Sequence, residues 1–276
     1  AGFNSACFFC FILLLIRLGA GVSAPPPPPD NFRYCSFLNP APSPVSAINF
    51  GLEIAEGDIC GVLVDGARMV TPGILALVRQ AVALHPRAIV ASVGFHIGPE
   101  HQSISVRKGY DQTVEDALLE SIDWPAAPYR LFDISTFAGS SPNGWFSPMS
   151  ESNALFMRRT LWRELGGYEE KFTSPGGGLA NLDIFSRACA LPETRLIVLL
   201  GEGTFHQIHG GVSANSASGK WHEMHSEYVE IRGHAYSIPN IKPLFIGSVN
   251  EHCARGVAWS ANRVAAYPLH IPPLRD

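Results

Sequence analysis

Long runs of basic residues are missing from this sequence, which has 20 Lys and Arg against 24 Asp and Glu in 276 residues. The formal net charge is −4. Because binding to nucleic acid depends on clustered positive charge, this balance argues against a nucleic-acid partner. Internal repeats are also missing, so repeat architectures are not expected.

Closely spaced cysteines are nearly absent as well. The chain has six cysteines, and they are scattered along its length. Only Cys7 and Cys10 are close together, and they lie in an apolar run that does not suit a metal or redox site. We therefore predict a reducing compartment without a disulfide framework. This favours a cytoplasmic location over secretion and leaves membrane association open.

No apolar run is long enough to cross a bilayer. The longest of those near the start, Ala6 to Ile16, has 11 residues, fewer than a spanning helix needs. Val22-Ser23-Ala24 and the stiff tract Pro25 to Pro29 follow it. The segment resembles a signal-peptide core, but no basic residue precedes it. We interpret residues 1–30 as a segment without native-like structure in a fragment, and keep a signal peptide or anchor as the alternative.

What the sequence does contain is an alternation of strand and helix patterns, with 46% hydrophobic residues to build a core. This alternation predicts an α/β fold with a mixed, mostly parallel sheet flanked by helices. The predicted strands are Phe32–Leu38, Ile59–Val64, Ala88–Phe95, Tyr129–Ile134, Asn153–Met157 and Arg195–Leu200. The predicted helices are Ala47–Ala55, Ile74–Leu84, Val114–Ile122, Thr160–Leu165 and Leu182–Ala190.

Asp65 is the first candidate for chemistry. It follows the apolar run Ile59 to Val64 and lies in a glycine-containing turn, with Pro72 starting the next helix. The carboxyl end of a buried strand is where open α/β sheets bind ligands. An Asp at this place is equally typical of a residue that only turns a loop.

Three short motifs follow one another in the chain. The first has Asn49, Gly51, Ala55, Gly57, Asp58, Asp65 and Pro72. The second has Met157-Arg158-Arg159 and then the run from Leu165-Gly166-Gly167-Tyr168 to Phe172. The third is Asp183-Ile184-Phe185-Ser186-Arg187. In this order and spacing they resemble glycosyltransferase family 2, the nucleotide-sugar transferases with the GT-A fold.

The resemblance implies a GT-A-like domain over residues 31–215 and a peripheral tail over 216–276. The first one or two βα units, which hold the base in that family, are not found in the sequence. The implied activity is transfer of a sugar from a nucleotide-diphosphate donor to an unknown acceptor. The alternative is a degenerate GT-A domain that binds a carbohydrate or a partner without catalysis. A hydrolase or phosphotransferase using Asp65 and His206 ranks third.

For the donor site, the resemblance implies Mn²⁺ or Mg²⁺ held on an Asp-x-Asp turn. Here Asp65 is the first Asp, but Ala67 and Arg68 replace the acidic residues expected after it. We therefore expect weak or no dependence on a divalent cation, with Arg68 contacting the diphosphate through its planar guanidinium. The alternative is a structural pair between Arg68 and Asp65.

The resemblance also implies a general base near the third motif. Asn181 occupies the position of that base and cannot accept a proton at neutral pH. Asp183 is the remaining carboxylate of the segment and is a candidate for the catalytic role. An Asp at a helix start is otherwise typical of a capping residue.

Further candidates surround these positions. Gly176, Gly177 and Gly178 precede a helix start, where backbone amides attract anions, and are predicted to contact the donor. His206, ahead of His209, is a candidate metal ligand beside Asp65, with Glu202 nearby. Trp145, Glu151 and Asn153 offer the aromatic, carboxylate and amide groups that bind sugars, although Trp145 fits a core position equally well.

Overall fold

The computed structural model describes residues 13–18, 32–37, 41–63, 68–124, 126–209 and 220–265. The strands are β1 (Leu13–Leu18), β2 (Phe32–Phe37), β3 (Ile59–Leu63), β4 (Arg68–Val70), β5 (Ala88–Ile97), β6 (Ser135–Phe137), β7 (Ala154–Arg158), β8 (Arg195–His206) and β9 (Leu244–Gly247). The α-helices are α1 (Val45–Ile54), α2 (Ile74–Leu84), α3 (Gln102–Ser105), α4 (Gln112–Ser121), α5 (Arg159–Leu165), α6 (Ala180–Ala190), α7 (Lys220–Arg232) and α8 (Glu251–Ala265). Short 3₁₀ helices cover Val106–Lys108, Pro128–Ile134 and Pro175–Gly177.

Seven of these strands form one mixed sheet flanked by helices, which confirms the predicted α/β class. The order across the sheet is β3-β7-β5-β8-β4, with β6 on β5 and β9 on β8. The β5–β8 and β8–β9 pairs are parallel. The other four described pairs are antiparallel, so the expected predominance of parallel pairs is not found. β1 and β2 form a separate parallel pair.

The central strand β5 places side chains on both faces of the sheet, because successive residues of a strand point to opposite sides. Ile89 and Ala91 join the larger apolar cluster, which includes residues of α5 and α6. Ala88 and Val90 join a second cluster against the buried side of α2. The continuous apolar pattern of this strand thus reflects burial on both faces, and its prediction is confirmed.

Two sequence predictions fail beside the central strands. Tyr129–Ile134, predicted as a strand, lies within the 3₁₀ helix Pro128–Ile134. Leu131 and Phe132 are both buried although they are adjacent, which the alternation of a strand with one solvent-facing side does not allow. Strand β8 does not end at Leu200 as predicted but continues to His206.

The continuation of β8 passes through a bulge. Its pairing with β5 steps from Ala91↔Val198 to Val93↔Gly203, so β8 carries extra residues there. Gly201 in this bulge has a φ of 78°, and a Cβ would lie 1.9 Å from the Ser248 carbonyl oxygen. Gly203 is then held by Thr71, whose backbone amide and side chain both bond to it. Because the residues of the bulge suggest a turn, the sequence does not indicate that the strand continues beyond it.

Residues 220–265 supply part of the core. Tyr228 is 3% exposed, Cys253 1% and Ser260 0%. The predicted domain boundary at residues 215 and 216 lies outside the described residues. Within the described part of the chain, no helix is both long and apolar enough to span a membrane.

Candidate functional site

One edge of the sheet collects the polar residues of interest. Arg68 of β4 pairs with His206 of β8, and His206 pairs with His96 of β5. Residues that pair laterally in a sheet direct their side chains to the same face. This row lies at the carboxyl ends of the parallel strands β5 and β8, the place where α/β sheets bind ligands.

Gln102 of α3 orders the two histidines of the row. Its backbone amide donates to His96 Nδ1 at 3.0 Å. His206 Nδ1 lies 2.6 Å from Gln102 Oε1, and because that oxygen only accepts, His206 carries its proton on Nδ1. In its neutral form His206 therefore presents an unprotonated Nε2 to His209 Nε2, 3.0 Å away.

Two imidazoles of this edge, those of His96 and His101, are kept neutral. Burial, followed by the nearby His101, His206 and Arg68, lowers the pKa of His96 to about 3. Burial and His206 also lower the pKa of His101. A lowered imidazole pKa means that the ring has no charge at neutral pH. Arg68 carries a positive charge beside these two neutral rings.

Glu115 of α4 holds the segment that carries His209. It is 2% exposed. Both of its carboxylate oxygens accept from the backbone amide of Ile208, at 3.0 and 2.9 Å, and Tyr110 donates to it at 3.2 Å. Burial raises the pKa of Glu115, and these bonds act in the opposite direction. Through its bonds to Ile208, Glu115 thus helps to position the neighbouring His209.

Glu151 and Asn181 meet at the same edge. Glu151 precedes β7, whose first residue, Ala154, pairs with Leu63 at the carboxyl end of β3. Asn181 Nδ2 donates to Glu151 Oε2 at 2.5 Å. Arg68 lies close enough to act on both sides of this edge, since its charge lowers the pKa of Glu151 and of His96.

Asp183 is bound by two arginines. It is 1% exposed. Arg187 donates to its Oδ2 at 2.8 Å, and Arg232 of α7 donates to Oδ1 at 2.6 Å and to Oδ2 at 2.8 Å. Both carboxylate oxygens of Asp183 are therefore engaged by guanidinium groups. Its contacts indicate that Asp183 joins α6 to α7.

The glycine loop before α6 is bound mainly to the protein itself. Gly176 and Gly177 have φ values of 75° and 87°, a conformation that favours glycine. The Gly176 amide donates to the Pro42 carbonyl, and the Gly177 amide donates to the Ser174 carbonyl. Two of the three glycine amides predicted to contact a donor are therefore already engaged. Gly178 follows with a φ of 53° and lies against Glu227 of α7.

Two predicted sugar contacts lie deep in the protein. Trp145 is 1% exposed, packs on Phe95 and donates its indole N–H to the Leu199 carbonyl at 3.1 Å. This corrects its assignment as a sugar platform, because a buried ring offers no face to a ligand. Asn153 is 7% exposed. Glu202 lies in the β8 bulge, where it accepts from the Tyr129 hydroxyl at 2.8 Å.

Asp65 lies outside the described residues, so the expectation that His206 lies beside it as a metal ligand stays a prediction. No group of three or more His, Cys, Asp or Glu side chains among the described residues is arranged to hold a metal ion. The nearest arrangement, His206 with His209, offers two nitrogens. Mn²⁺ and Mg²⁺ prefer oxygen ligands, so this pair alone does not fit them.

His96 is a site residue that sequence reasoning missed. It comes one residue after the predicted strand Ala88–Phe95. Asp65 occupies the corresponding place after the preceding predicted strand. The same rule about carboxyl ends of buried strands would have identified it. The contact between Glu151 and Asn181, 30 residues apart, has no comparable signal in the sequence.

No protein-family model and no curated protein matches this chain. Among solved structures, the chain is similar to a crystal structure of GalNAc-T7 with UDP, GalNAc and Mn²⁺. The identity is 13% and the TM-score 0.42, over 72% of this chain and 36% of that one. The chain thus matches about a third of the length of that structure. This distant likeness identifies no family.

Proposed function

We propose that this chain is a glycosyltransferase domain that binds a nucleotide-diphosphate sugar and transfers the sugar to a hydroxyl acceptor. The observation that supports this most directly is that the three motifs behind the family resemblance are bonded to one another. Asn49 of the first motif donates to the Tyr168 carbonyl at 2.9 Å and accepts from the Tyr168 amide at 2.8 Å. Arg187 of the third motif donates to the carbonyls of Leu165 and Gly167 in the second.

These bonds matter because each motif alone is short and common. The Asn49 side chain reaches across 119 positions to satisfy both backbone groups of one residue, which is a strongly specified contact. Arg187 uses two of its donors on the same glycine turn. Motifs that are bonded in this way form one structural unit, as is expected of motifs that belong to one family pattern.

Arg68 is the residue proposed to contact the diphosphate. It provides a positive charge beside the neutral imidazoles of His96 and His101. A guanidinium binds two phosphate oxygens at once, and it needs no metal for this. We accordingly propose that donor binding depends weakly or not at all on Mn²⁺ or Mg²⁺.

One observation favours the second candidate, a degenerate GT-A domain that binds without catalysis. Asp183 is neutralised by Arg187 and Arg232, and Asn181 replaces the expected carboxylate. A chain without a general base would bind its ligand and leave it unchanged.

The test is calorimetric titration of the protein with UDP and with GDP, with and without Mn²⁺ or Mg²⁺. Arg68→Ala should weaken binding by about 1.5–3 kcal/mol, the range for hydrogen bonds to charged groups. Arg68→Lys should restore part of the loss, because an ammonium lacks the planar fork. Arg255→Ala, an exposed arginine of α8, is the matched control and should bind as the wild type does.

Release of nucleoside diphosphate from UDP-sugars and GDP-sugars separates the two candidates. Turnover supports the transferase, and binding without turnover supports the binding domain. Tight Mn²⁺ binding that is lost in Asp65→Ala or His206→Ala, with unchanged donor affinity in Arg68→Ala, would show that the metal-free account is wrong.

A further inference from the structure

Glu151 is delivered to the sheet edge by a backbone that is fixed on both sides. Before it, the Ser150 amide donates to the Ser140 carbonyl at 3.0 Å, and Tyr236 donates to the Ser150 carbonyl at 2.6 Å. After it, Ser152 Oγ donates to the carbonyl of Ser92 and accepts from its amide, each at 3.1 Å. Ser152 itself is 1% exposed. Glu151 thus stands on a rigid support at the end of the central strands.

The partner of Glu151 is oriented by a third group. The Tyr168 hydroxyl donates to Asn181 Oδ1 at 3.1 Å, so the amide nitrogen of Asn181 is turned toward Glu151. That nitrogen donates to Oε2 of Glu151. With Oε2 held by Asn181, Oε1 is the other oxygen of this carboxylate. Nucleophile-activating bases are commonly oriented in this way by a further residue.

Glu151 also differs from Asp183 in access and in charge balance. Asp183 is fully buried between two arginines. Glu151 is half-buried and accepts a hydrogen bond from the neutral side-chain amide of Asn181. A base has to reach its substrate and has to bind a proton in turn. Of these two carboxylates, only Glu151 is partly exposed.

We propose that Glu151 is the general base that takes the proton from the acceptor hydroxyl, a role that rests on the transferase function proposed above. The O–H bond of the acceptor breaks and its proton passes to Glu151 Oε1. The electron pair left on the acceptor oxygen forms the bond to the anomeric carbon. The bond from this carbon to the diphosphate breaks, and its electron pair leaves on the phosphate oxygen, where Arg68 stabilises the charge. Such a direct displacement inverts the anomeric centre.

The electrostatics of the position agree with this role. Burial raises the pKa of Glu151, while Asn181 and Arg68 act to lower it. Tyr168 and Tyr236 also lie near this carboxylate, and burial together with its negative charge raises the pKa of both phenols. The phenols therefore stay neutral donors. A carboxylate with a raised pKa is a stronger base once it is ionised.

The test uses the full chain with UDP-sugar and GDP-sugar donors, and water or an added sugar alcohol as the acceptor. Glu151→Gln keeps the shape of the side chain and should reduce turnover by about 10²–10⁴-fold, the range for loss of a general base. Its affinity for UDP and GDP should stay within about twofold of the wild type, because charge at the diphosphate is left in place. Glu120→Gln, on the exposed face of α4, should change neither quantity.

A second variant tests the role without removing the carboxylate. Asn181→Asp places a like charge beside Glu151 and should raise its pKa, so that the acid limb of the pH–rate profile moves to higher pH. A merely structural Asn181 would lower the rate equally at all pH values. Unchanged turnover in Glu151→Gln, or a product of retained anomeric configuration, would overturn the base assignment while leaving the transferase in place. A wild-type chain that turns over no donor would remove both proposals together.

Discussion

Asp183 shows how a carboxylate in a catalytic-looking motif can serve the fold instead. Two guanidinium groups bind it, and they come from different helices, α6 and α7. One of them, Arg187, also bonds the glycine turn at Leu165 and Gly167. The arrangement satisfies a buried charge with three charge-assisted bonds, which is the condition for burying an ion at acceptable cost.

Asp183→Asn is therefore expected to lower stability. Removing one partner of a buried ion pair costs about 3–5 kcal/mol. We expect a value near the lower end, since the side chains of Arg187 and Arg232 are 25% and 21% exposed. Urea unfolding measures the change. Asp116→Asn, an exposed Asp of α4, should shift the free energy of unfolding by about 0.5 kcal/mol or less. A stable Asp183→Asn protein that has lost donor turnover would instead assign the catalytic role to Asp183.

The turn after α5 is the element that carries the second motif. Gly166 and Gly167 have φ values of 73° and 71°, so the helix ends in two consecutive left-handed residues. They differ in their surroundings. A Cβ at Gly166 would meet no described atom within 4 Å, whereas a Cβ at Gly167 would lie 2.6 Å from Asn49 Oδ1. Gly167 is thus required both by its backbone conformation and by the close approach of Asn49.

This pair permits a matched test of the link between the motifs. Gly166→Ala should cost about 1–2 kcal/mol, the penalty of the left-handed conformation. Gly167→Ala should cost about 1–3 kcal/mol more, the range for overpacking. In an Asn49→Ala background this extra cost should disappear, because the group that clashes is gone. Equal costs at the two positions, measured by urea unfolding, would mean that Asn49 does not pack on the turn as described.

The sequence predicted the elements whose patterns are local. Ile74–Leu84 has its buried residues at helical spacing, and the structure has the same bounds. Apart from Ser92, Ala88–Phe95 has no polar side chain, because both faces of β5 are covered. The end of β8 was missed because its strand resumes after a bulge, and the pairing that restores it comes from Thr71, 132 positions away. No window of sequence around Gly201 contains that information.

The residues of the candidate site also divide into those that the sequence could identify and those whose role depends on the packing of the fold. Arg68 was identified because it occupies an acidic position of the family pattern, and His206 because it follows a predicted strand. Glu151 was predicted to bind a sugar, but its relation to Asn181 depends on how β7 and α6 pack. The sequence around Trp145 is compatible with a core position and with a ligand contact. Only the fold shows that it lies in the core.

At the scale of the whole molecule, residues 220–265 are built into the domain that precedes them. Arg232 binds Asp183, and Glu227 accepts from the amides of Thr173 and Ser174 at 2.8 and 2.9 Å. Cys253 belongs to the larger apolar cluster. The sequence shows little of this, since α7 is polar over most of its surface. A region with these contacts should unfold together with the sheet.

Ser260 of α8 tests this coupling. It is 0% exposed, donates to the Asn143 carbonyl at 2.8 Å and accepts from the Phe146 amide at 3.0 Å. These two bonds hold the loop that places Trp145 in the core. Ser260→Ala leaves both backbone groups without this partner and should cost about 1–3 kcal/mol.

For a chain of this size that cost lowers Tm by about 2–4 °C per kcal/mol. Ser226→Ala removes a half-buried hydroxyl that bonds only to the His222 carbonyl of its own helix, and it should change Tm little. Calorimetry should show one transition in all three proteins, displaced as a whole in Ser260→Ala. Two separate transitions, with only one of them displaced, would show that residues 220–265 form a unit of their own, as the peripheral tail predicted from the sequence would.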